Sequence, residues 1–576
     1  MHGIGKKLHK DEKNLWENYF LLTISVLPGD NFAEKTTNTM KNKFEKENYE
    51  GKGASLFSRK SDGRTSDSDL RVLEAALKAW QGWGEIRRRR RRNKDFTYGR
   101  QWGDIVKDDN GQPVTEGELV ARCGKEPLTN NMLRQLIKCV VGRFRKSVAD
   151  ESKAVERALS RGKEKSGLRM FSPGCNVTSN DTVERRAAAA YKLNCIEEVD
   201  ARSLEEFLIS GCCVQRIDTG TEEPAGTEEG GKAKPHEGCV PVVDVPNVNR
   251  FFANMMEDVR GNDCEIVGYL HDLHVSELIM RLAHGDATES RRIREVYASL
   301  QSIYSSPEIG SDAERCESFW QAKGGKCRAI EVWTLELKEV LRCHDFKNRK
   351  AFTAPVEQLR ELEAGNRDRR SRGEEEVVVN RRITKEWHCR WFAPDGTLLA
   401  RYRSPYAHQS HPFAFRLYPL TDGEVHSFVE DVIDQQKYVN RLITVIDHIM
   451  NASAKGVLLF PESGLPEGFT WGDVRRLWSN ADGIIPFTSD SSGTMPQQMV
   501  SRNADIGAYQ LLDTQMKLIE DISGVNSALR GVAANNRTGV QLYETQLDNA
   551  DTSLTDIYRT FDSFRAMRDA KVAALL

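Results

Sequence analysis

Residues 424–452, EVHSFVEDVIDQQKYVNRLITVIDHIMNA, pass through 29 positions with neither proline nor glycine. Val425, Phe428, Val429, Val432, Val439, Leu442, Ile443, Val445, Ile446, Ile449 and Met450 supply the apolar positions. This pattern predicts one uninterrupted helix over 424–452, about 44 Å long at 1.5 Å per residue. A lone small domain rarely needs such a rod. Its charged positions are Glu424, Glu430, Asp431, Asp434 and Asp447 against Lys437 and Arg441, so one face is predicted to be hydrated and mildly acidic.

Immediately upstream the chain changes period. Ala329–Leu337 and Glu376–Trp391 read as strands, and Pro394-Asp-Gly396 is a turn signal. Residues 351–375 read as a charged helical insert, so 327–418 is expected to form a compact α/β module in mid-chain. Downstream, Pro461–Gly493 is rich in Gly, Pro and Ser and is a candidate for a projecting loop. Val540, Tyr543, Leu547, Ala550, Leu554, Ile557, Phe561 and Phe564 then follow steps of three and four along a core-facing helix.

Towards the N-terminus, a helix is predicted from Asp69, running into six arginines, Arg87–Arg92. The run could be a nucleic-acid patch. A solvated helix face, or a site for acidic neighbours in an oligomer, is at least as good a reading, since no aromatic residues interleave it. A further helix is predicted over Thr129–Phe144, and two more lie between Asp181 and Cys212, with Ser203-Leu-Glu-Glu206 as a capping box. Thr219–Gly238 reads as a long surface loop and Val240–Val245 as a strand. Residues 1–70 read as a flexible charged extension, within which Leu15–Leu22 is apolar enough for a small docking helix.

At 576 residues the chain should hold about two to four compact units. Its 83 basic and 85 acidic residues leave a net charge of −2, which argues against a surface that grips nucleic acid everywhere. A conduit through which DNA slides fits that balance, because every phosphate contact adds affinity. No run approaches the roughly 20 apolar residues that cross a bilayer. The acids Asp11, Glu12 and Glu17 before Tyr19–Leu27, with no A-x-A-like site after it, argue against a secretory signal. The twelve cysteines show no CxxC spacing and read mostly as small buried hydrophobes.

Catalytic and cofactor motifs are missing. Gly325-Lys326 is followed by Cys327 and preceded by Trp320 where a phosphate-binding loop needs its first glycine. There is no G-x-S-x-G, H-E-x-x-H or G-x-G-x-x-G. His271 and His274 could share a helical face, but without a third ligand a surface or interface pair is the better reading. No catalytic residue, metal or cofactor is expected.

Several segments in order resemble the portal proteins of short-tailed bacteriophages, over about Asp95 to Leu576. These are Phe96-Thr-Tyr-Gly-Arg-Gln-Trp-Gly103, Pro127-Leu-Thr-Asn-Asn-Met-Leu133, Val332-Trp333, Gln435-Gln-Lys-Tyr-Val-Asn-Arg441 and Ile522-Ser-Gly-Val-Asn-Ser-Ala-Leu-Arg-Gly531, leading to Thr538-Gly539. The resemblance implies an α+β portal fold assembled as a ring. It would have an α/β wing, a two-helix stem, a mid-chain α/β clip and a C-terminal helical region. The implied division is an extension over 1–70, wing over 71–270, wing helices and first stem helix over 271–326, and clip over 327–418. The second stem helix would occupy 419–454, with the rest of the wing and the start of a crown over 455–576.

The implied role is a non-enzymatic portal subunit that forms a ring-shaped DNA channel at one capsid vertex. It would serve packaging, head–tail joining and ejection, after assembly in the host bacterial cytoplasm. The implied partners are further copies in a dodecamer, double-stranded DNA held without sequence specificity, the terminase large subunit, head–tail adaptor and tail proteins, the major capsid protein and a scaffolding protein, with no membrane. Glu430, Asp434, Lys437 and Arg441 are expected to face the channel, where acids shorten phosphate residence and sparse cations centre the duplex. The competing reading for these four is salt bridging between neighbouring subunits. Alternative functions are a capsid or head–tail adaptor scaffold, or a metal-dependent nucleic-acid enzyme.

Overall fold

The structure, a computed structural model, describes residues 65–160, 181–219, 240–304, 318–322, 325–455, 457–479, 484–488, 495–499, 505–530 and 540–576. Nearly all of the extension expected over 1–70, the segment Leu15–Leu22, most of Thr219–Gly238, part of Pro461–Gly493, and Thr538-Gly539 lie outside the described residues.

Ser66 starts the first described helix. Its hydroxyl accepts from the Asp69 amide while the Asp69 carboxylate accepts from the Ser66 amide, a reciprocal cap that satisfies two orphan donors. Helix α1 (Asp67–Gly82) gives way at Trp83 to α2 (Gly84–Thr97), which carries the arginine run. A hairpin of β1 (Ile105–Lys107) and β2 (Pro113–Thr115) leads into α3 (Glu116–Arg122), followed by α4 (Met132–Ser160), α5 (Asp181–Leu193) and α6 (Ile196–Ser210). Next come β3 (Cys212–Thr219), β4 (Pro241–Asp244), β5 (Phe251–Ala253), β6 (Ile266–Leu273), α7 (Val275–Ala283) and α8 (Ala287–Tyr304). The middle of the chain holds β7 (Cys327–Asp345), β8 (Lys350–Pro355), α9 (Leu359–Ser371), β9 (Val378–Phe392), β10 (Leu398–Arg403) and β11 (Phe413–Leu417). A short hairpin of β12 (Pro419–Thr421) and β13 (Glu424–Val425) precedes α10 (Ile433–Lys455). The remainder is β14 (Val457–Leu459), α11 (Trp471–Ser479), β15 (Gln497–Met499), α12 (Asp505–Ser523), α13 (Val540–Ser553) and α14 (Thr555–Leu575).

The result is a mixed α and β architecture. A six-stranded antiparallel sheet runs in the order β10-β9-β7-β6-β5, with β8 on β7, and a three-stranded sheet runs β11-β3-β4. The first sheet is covered by α1, α7 and α8, which bury Leu73, Trp80, Leu278, Ile293 and Tyr297 with Phe252 and Val332. At Gly268 on β6, an added Cβ would lie 2.2 Å from the Phe252 ring and 2.7 Å from the Glu331 carbonyl oxygen, so no larger residue fits. The second core joins α4, α6, α10 and α14 to the smaller sheet through Leu136, Phe207, Val439, Phe561 and Phe564. Burial of such side chains stabilises by about 1.5–3 kcal/mol each.

Strands β7 and β9 pair from Ile330–Phe392 to His344–Val378. Their bases belong to the main sheet, where β6 reaches Thr334 and β10 reaches His388. Beyond these positions they continue with β8 as a three-stranded ribbon. Helix α9 covers one ribbon face, packing Leu359 and Leu362 on Leu341, Cys343, Ala354 and Val377.

Several expectations change. The helix expected over 424–452 begins at Ile433 after a 3-10 turn over Glu430–Val432, and it ends at Lys455. Its 23 residues span about 35 Å. The late start has a local cause: Ser427 and Glu430 cap each other reciprocally at 2.9 and 3.3 Å, while Glu424 and Val425 pair with β12. Ser203, expected to cap a helix, lies inside α6 and accepts from Gln215 at 3.0 Å. The insert over 351–375 contains β8 before its helix. Residues 327–418 are shared between two sheets, since β7 pairs with β6 and β11 pairs with β3. The C-terminal apolar stripe crosses a break at Leu554, with Ala550, Leu554, Ile557, Phe561 and Phe564 all buried.

Candidate functional site

Helix α10 is held along one face by amide and hydroxyl side chains. Gln436, Asn440 and Thr444 recur every four residues and therefore stack on that face, all three buried. The Gln436 amide donates to the Asn130 carbonyl at 2.7 Å and its oxygen accepts from the Met132 amide at 3.0 Å. Asn440 accepts from the Asn130 amide at 3.0 Å and donates to the Gln101 side-chain oxygen at 2.6 Å. Thr444 accepts from the Leu128 amide at 3.1 Å. Gln101 in turn donates to the Phe96 carbonyl at 2.7 Å, and Trp102 donates to Thr129 at 3.1 Å. Three sequence segments far apart in the chain thus meet at one joint. Local periodicity gave no signal for it, because these partners stand more than 300 residues from α10.

The four charged residues expected to act together are divided. Glu430 accepts from Asn93 at 3.1 Å and lies 4.0 Å from Arg89. Lys437 pairs with Asp104 and approaches Glu116 at 3.6 Å. Arg441 donates to Glu116 at 2.7 Å while half of its side chain stays exposed. Asp434 is exposed. Burial would raise the Asp104 carboxyl, but hydrogen bonds from Arg92 and Lys437 outweigh it and hold it below the ordinary carboxylate range. The ion pairs are therefore within the chain. The outward face of α10 includes Asp434, Tyr438 and Arg441, all exposed and at helical spacings of four and three.

The arginine run is likewise used internally. Arg87 stacks 3.5 Å over the Trp80 ring, Arg88 pairs with Glu85 at 2.5 Å, and buried Arg90 holds Glu206 through two bonds of 2.5 and 2.7 Å. Arg92 pairs with Asp104 at 2.9 Å. These acidic partners all belong to the same chain.

Two buried ionic centres lie elsewhere. Glu331 accepts from Arg216, from His271 at 2.7 Å and from Trp333 at 2.8 Å. Burial would raise its carboxyl, but the Arg216 charge and the His271 hydrogen bond outweigh it and hold it at about 2. Arg568 bridges Asp200 and Asp569, and Tyr191 donates to Asp569 at 2.7 Å. His271 is thus a partner of Glu331, and His274 stands at the N-cap position of α7 without a side-chain capping bond. No group of three His, Cys, Asp or Glu side chains among the described residues could hold a metal ion. Six described cysteines, at 212, 213, 264, 327, 343 and 389, are free and buried.

The sequence model of the phage P22-like portal protein family matches residues 191–573. The chain belongs to that family. It is a structural phage protein of the portal type, and no curated protein matches it. The matched portal region runs from the end of α5 to the end of α14, so it contains both sheets, the ribbon and α10. Gln101, Asn130 and the arginine helix precede the match, yet they bind α10, Glu206 and Glu430 within it. The portal core and the preceding segment are one packed unit at this joint. Among the described residues no helix is long and apolar enough to cross a membrane.

Proposed function

We propose that copies of this portal protein close into a ring, a dodecamer, that conducts double-stranded DNA through one capsid vertex of the virion during packaging, head–tail joining and ejection. The observation that carries this reading is the portal-family match over 191–573. Helix α10 is the second stem helix of the proposed ring. Its face bearing Gln436, Asn440 and Thr444 anchors it, and the face bearing Asp434, Tyr438 and Arg441 turns to the DNA. Glu430 and Lys437 contribute by holding that helix in place. One exposed acid and one half-paired cation per copy suit passage without sequence-specific grip.

The wing is proposed to combine 71–270 with 455–576, the first stem helix to lie within 271–326, and the clip to be the ribbon part of 327–418. The clip is the proposed docking end for the terminase large subunit and later for adaptor and tail proteins. The outer wing meets the major capsid protein and a scaffolding protein. Negative-stain images of the purified full chain test the ring directly. Closed rings with a central hole and about twelve-fold symmetry are expected, and a population of monomers or open arcs under all assembly conditions refutes it.

A further inference from the structure

We infer that the face of the β7–β8–β9 ribbon turned away from α9 is a phosphate-backbone contact surface for double-stranded DNA, an assignment that rests on the channel reading above. Side chains alternate between the two faces of a strand. Leu341 and Cys343 point to α9, so Lys338 and Arg342 on β7 point to the opposite face, where both are exposed on either side of buried Val340. Arg382 on β9 stands opposite Val340, midway between them, and shares that face. Asn380 pairs with Arg342, Thr384 with Lys338 and Thr353 on β8 with Arg342, adding neutral hydrogen-bonding groups. Lys338, Arg342, Arg382, Asn380 and Thr353 are exposed.

Among the described residues these cations have no ion-pair partner, and the neighbouring acids are committed elsewhere. Glu336 pairs with Arg390 at 2.7 Å, Glu386 with Arg403 at 3.1 Å, Asp345 with Arg369 at 2.7 Å and Glu374 with Lys347 at 2.5 Å. Glu339 stands on the other face of β7, opposite Ile383. The contrast with Arg87–Arg92 is chemical: those guanidiniums are occupied by Glu85, Glu206, Asp104 and Trp80. From Lys338 to Arg342 is about 13 Å along the strand, or roughly four base steps of one DNA strand. Three cations with amide and hydroxyl groups between them fit backbone contact without base readout, and the one ring pair at this end of β7, His344 with Phe346, lies beyond Arg342.

The test is fluorescence anisotropy of the full chain, as it assembles, with a short DNA duplex over a salt series. The triple variant Lys338→Gln, Arg342→Gln, Arg382→Gln is compared with Arg360→Gln, Arg367→Gln on α9, whose two cations are also exposed. The ribbon variant should flatten the dependence of log affinity on log salt by about 0.9 per lost phosphate contact, up to about 2.7 in all. The α9 variant should leave the slope unchanged. An unchanged slope in the ribbon variant, or an equal loss in both, overturns the assignment. Unchanged DNA binding with loss of rings in negative stain overturns it in favour of contact with a second copy. Rings formed by the unsubstituted chain are read separately, so a failed DNA surface and a failed channel reading give different results.

Discussion

Replacing Asn440 by alanine removes three hydrogen bonds at a residue that is 1% exposed. The Asn130 amide loses its acceptor at 3.0 Å, the Gln101 oxygen loses its donor at 2.6 Å, and Gln436 loses one acceptor while keeping the Asn130 carbonyl. A buried polar group left without a partner costs about 1–3 kcal/mol. Two stranded groups therefore imply a loss of about 2–6 kcal/mol, centred near the joint and not spread over the sheets. Hydrogen exchange is the suitable assay because it separates local opening from global unfolding. The amides of Leu128, Asn130 and Met132 should lose protection, while those of β6 and β7 should change little. A double cycle of Asn440→Ala with Gln101→Ala should give a coupling of about 0.5–3 kcal/mol. Asp434→Asn, on the outward face of the same helix, should stay within about 0.5 kcal/mol. Zero coupling between Asn440 and Gln101, or equal effects of Asn440→Ala and Asp434→Asn, refutes the anchored-helix account.

Acid should weaken the main sheet through Glu331. Its carboxyl is held at about 2 against an ordinary 4.5, so the unfolded chain binds more protons between those values and the stabilising contribution, present above 4.5, disappears as pH falls to about 2. The loss is on the order of 3 kcal/mol, and Glu331→Gln should remove that part of an acid denaturation profile. Gly268→Ala forces a Cβ against the Phe252 ring and the Glu331 carbonyl; a cost of about 1–3 kcal/mol or more should show as a lower melting temperature, and a neutral result would mean that β5 and β6 can separate. Asp434→Lys adds a cation to the proposed channel face, so packaging measured at low salt should slow and recover as salt screens the contact; unchanged packaging removes Asp434 from the channel lining.

Local chemistry made much of the fold readable. The apolar spacing in α1, α4 and α14 corresponds largely to buried residues, whereas within α10 Val439 and Ile446 are buried and Met450 is exposed, and the turn at Pro394-Asp-Gly396 is closed by the Gly396 amide donating to the Ala393 carbonyl at 3.0 Å. The start of α10 was also written locally, in Ser427 and Glu430, but the apolar run through Val425, Phe428 and Val429 obscured it. Those three residues are buried by tertiary packing, not by a helix. The joint around Gln436 and Asn440 was not readable, because an amide side chain in a helix gives no indication of which distant backbone it will bind. The same applies to the charges: the sequence shows six arginines and a mildly acidic helix, whereas only the fold brings Asp104 and Glu116 to Lys437 and Arg441.

This placement of charge gives the net value of −2 a physical meaning. A nearly neutral chain could mix its charges evenly, and every part of a DNA path would then attract and repel phosphates alike. Here the arginines of α2 and the cations of α10 are largely engaged by carboxylates brought from distant segments, while the ribbon keeps Lys338, Arg342 and Arg382 exposed on one face. On the proposed channel reading, attraction to DNA would thereby be concentrated at the ribbon and reduced along the helix. Phosphate contacts strengthen with each available cation, so a duplex would be engaged at the ribbon and released along α10, where Asp434 stands beside the partly neutralised Arg441 face. Moving a cation from the ribbon to α10 would preserve net charge but reverse that order, so on the proposed reading the distribution of charge, and not its sum, is the property on which sliding would depend.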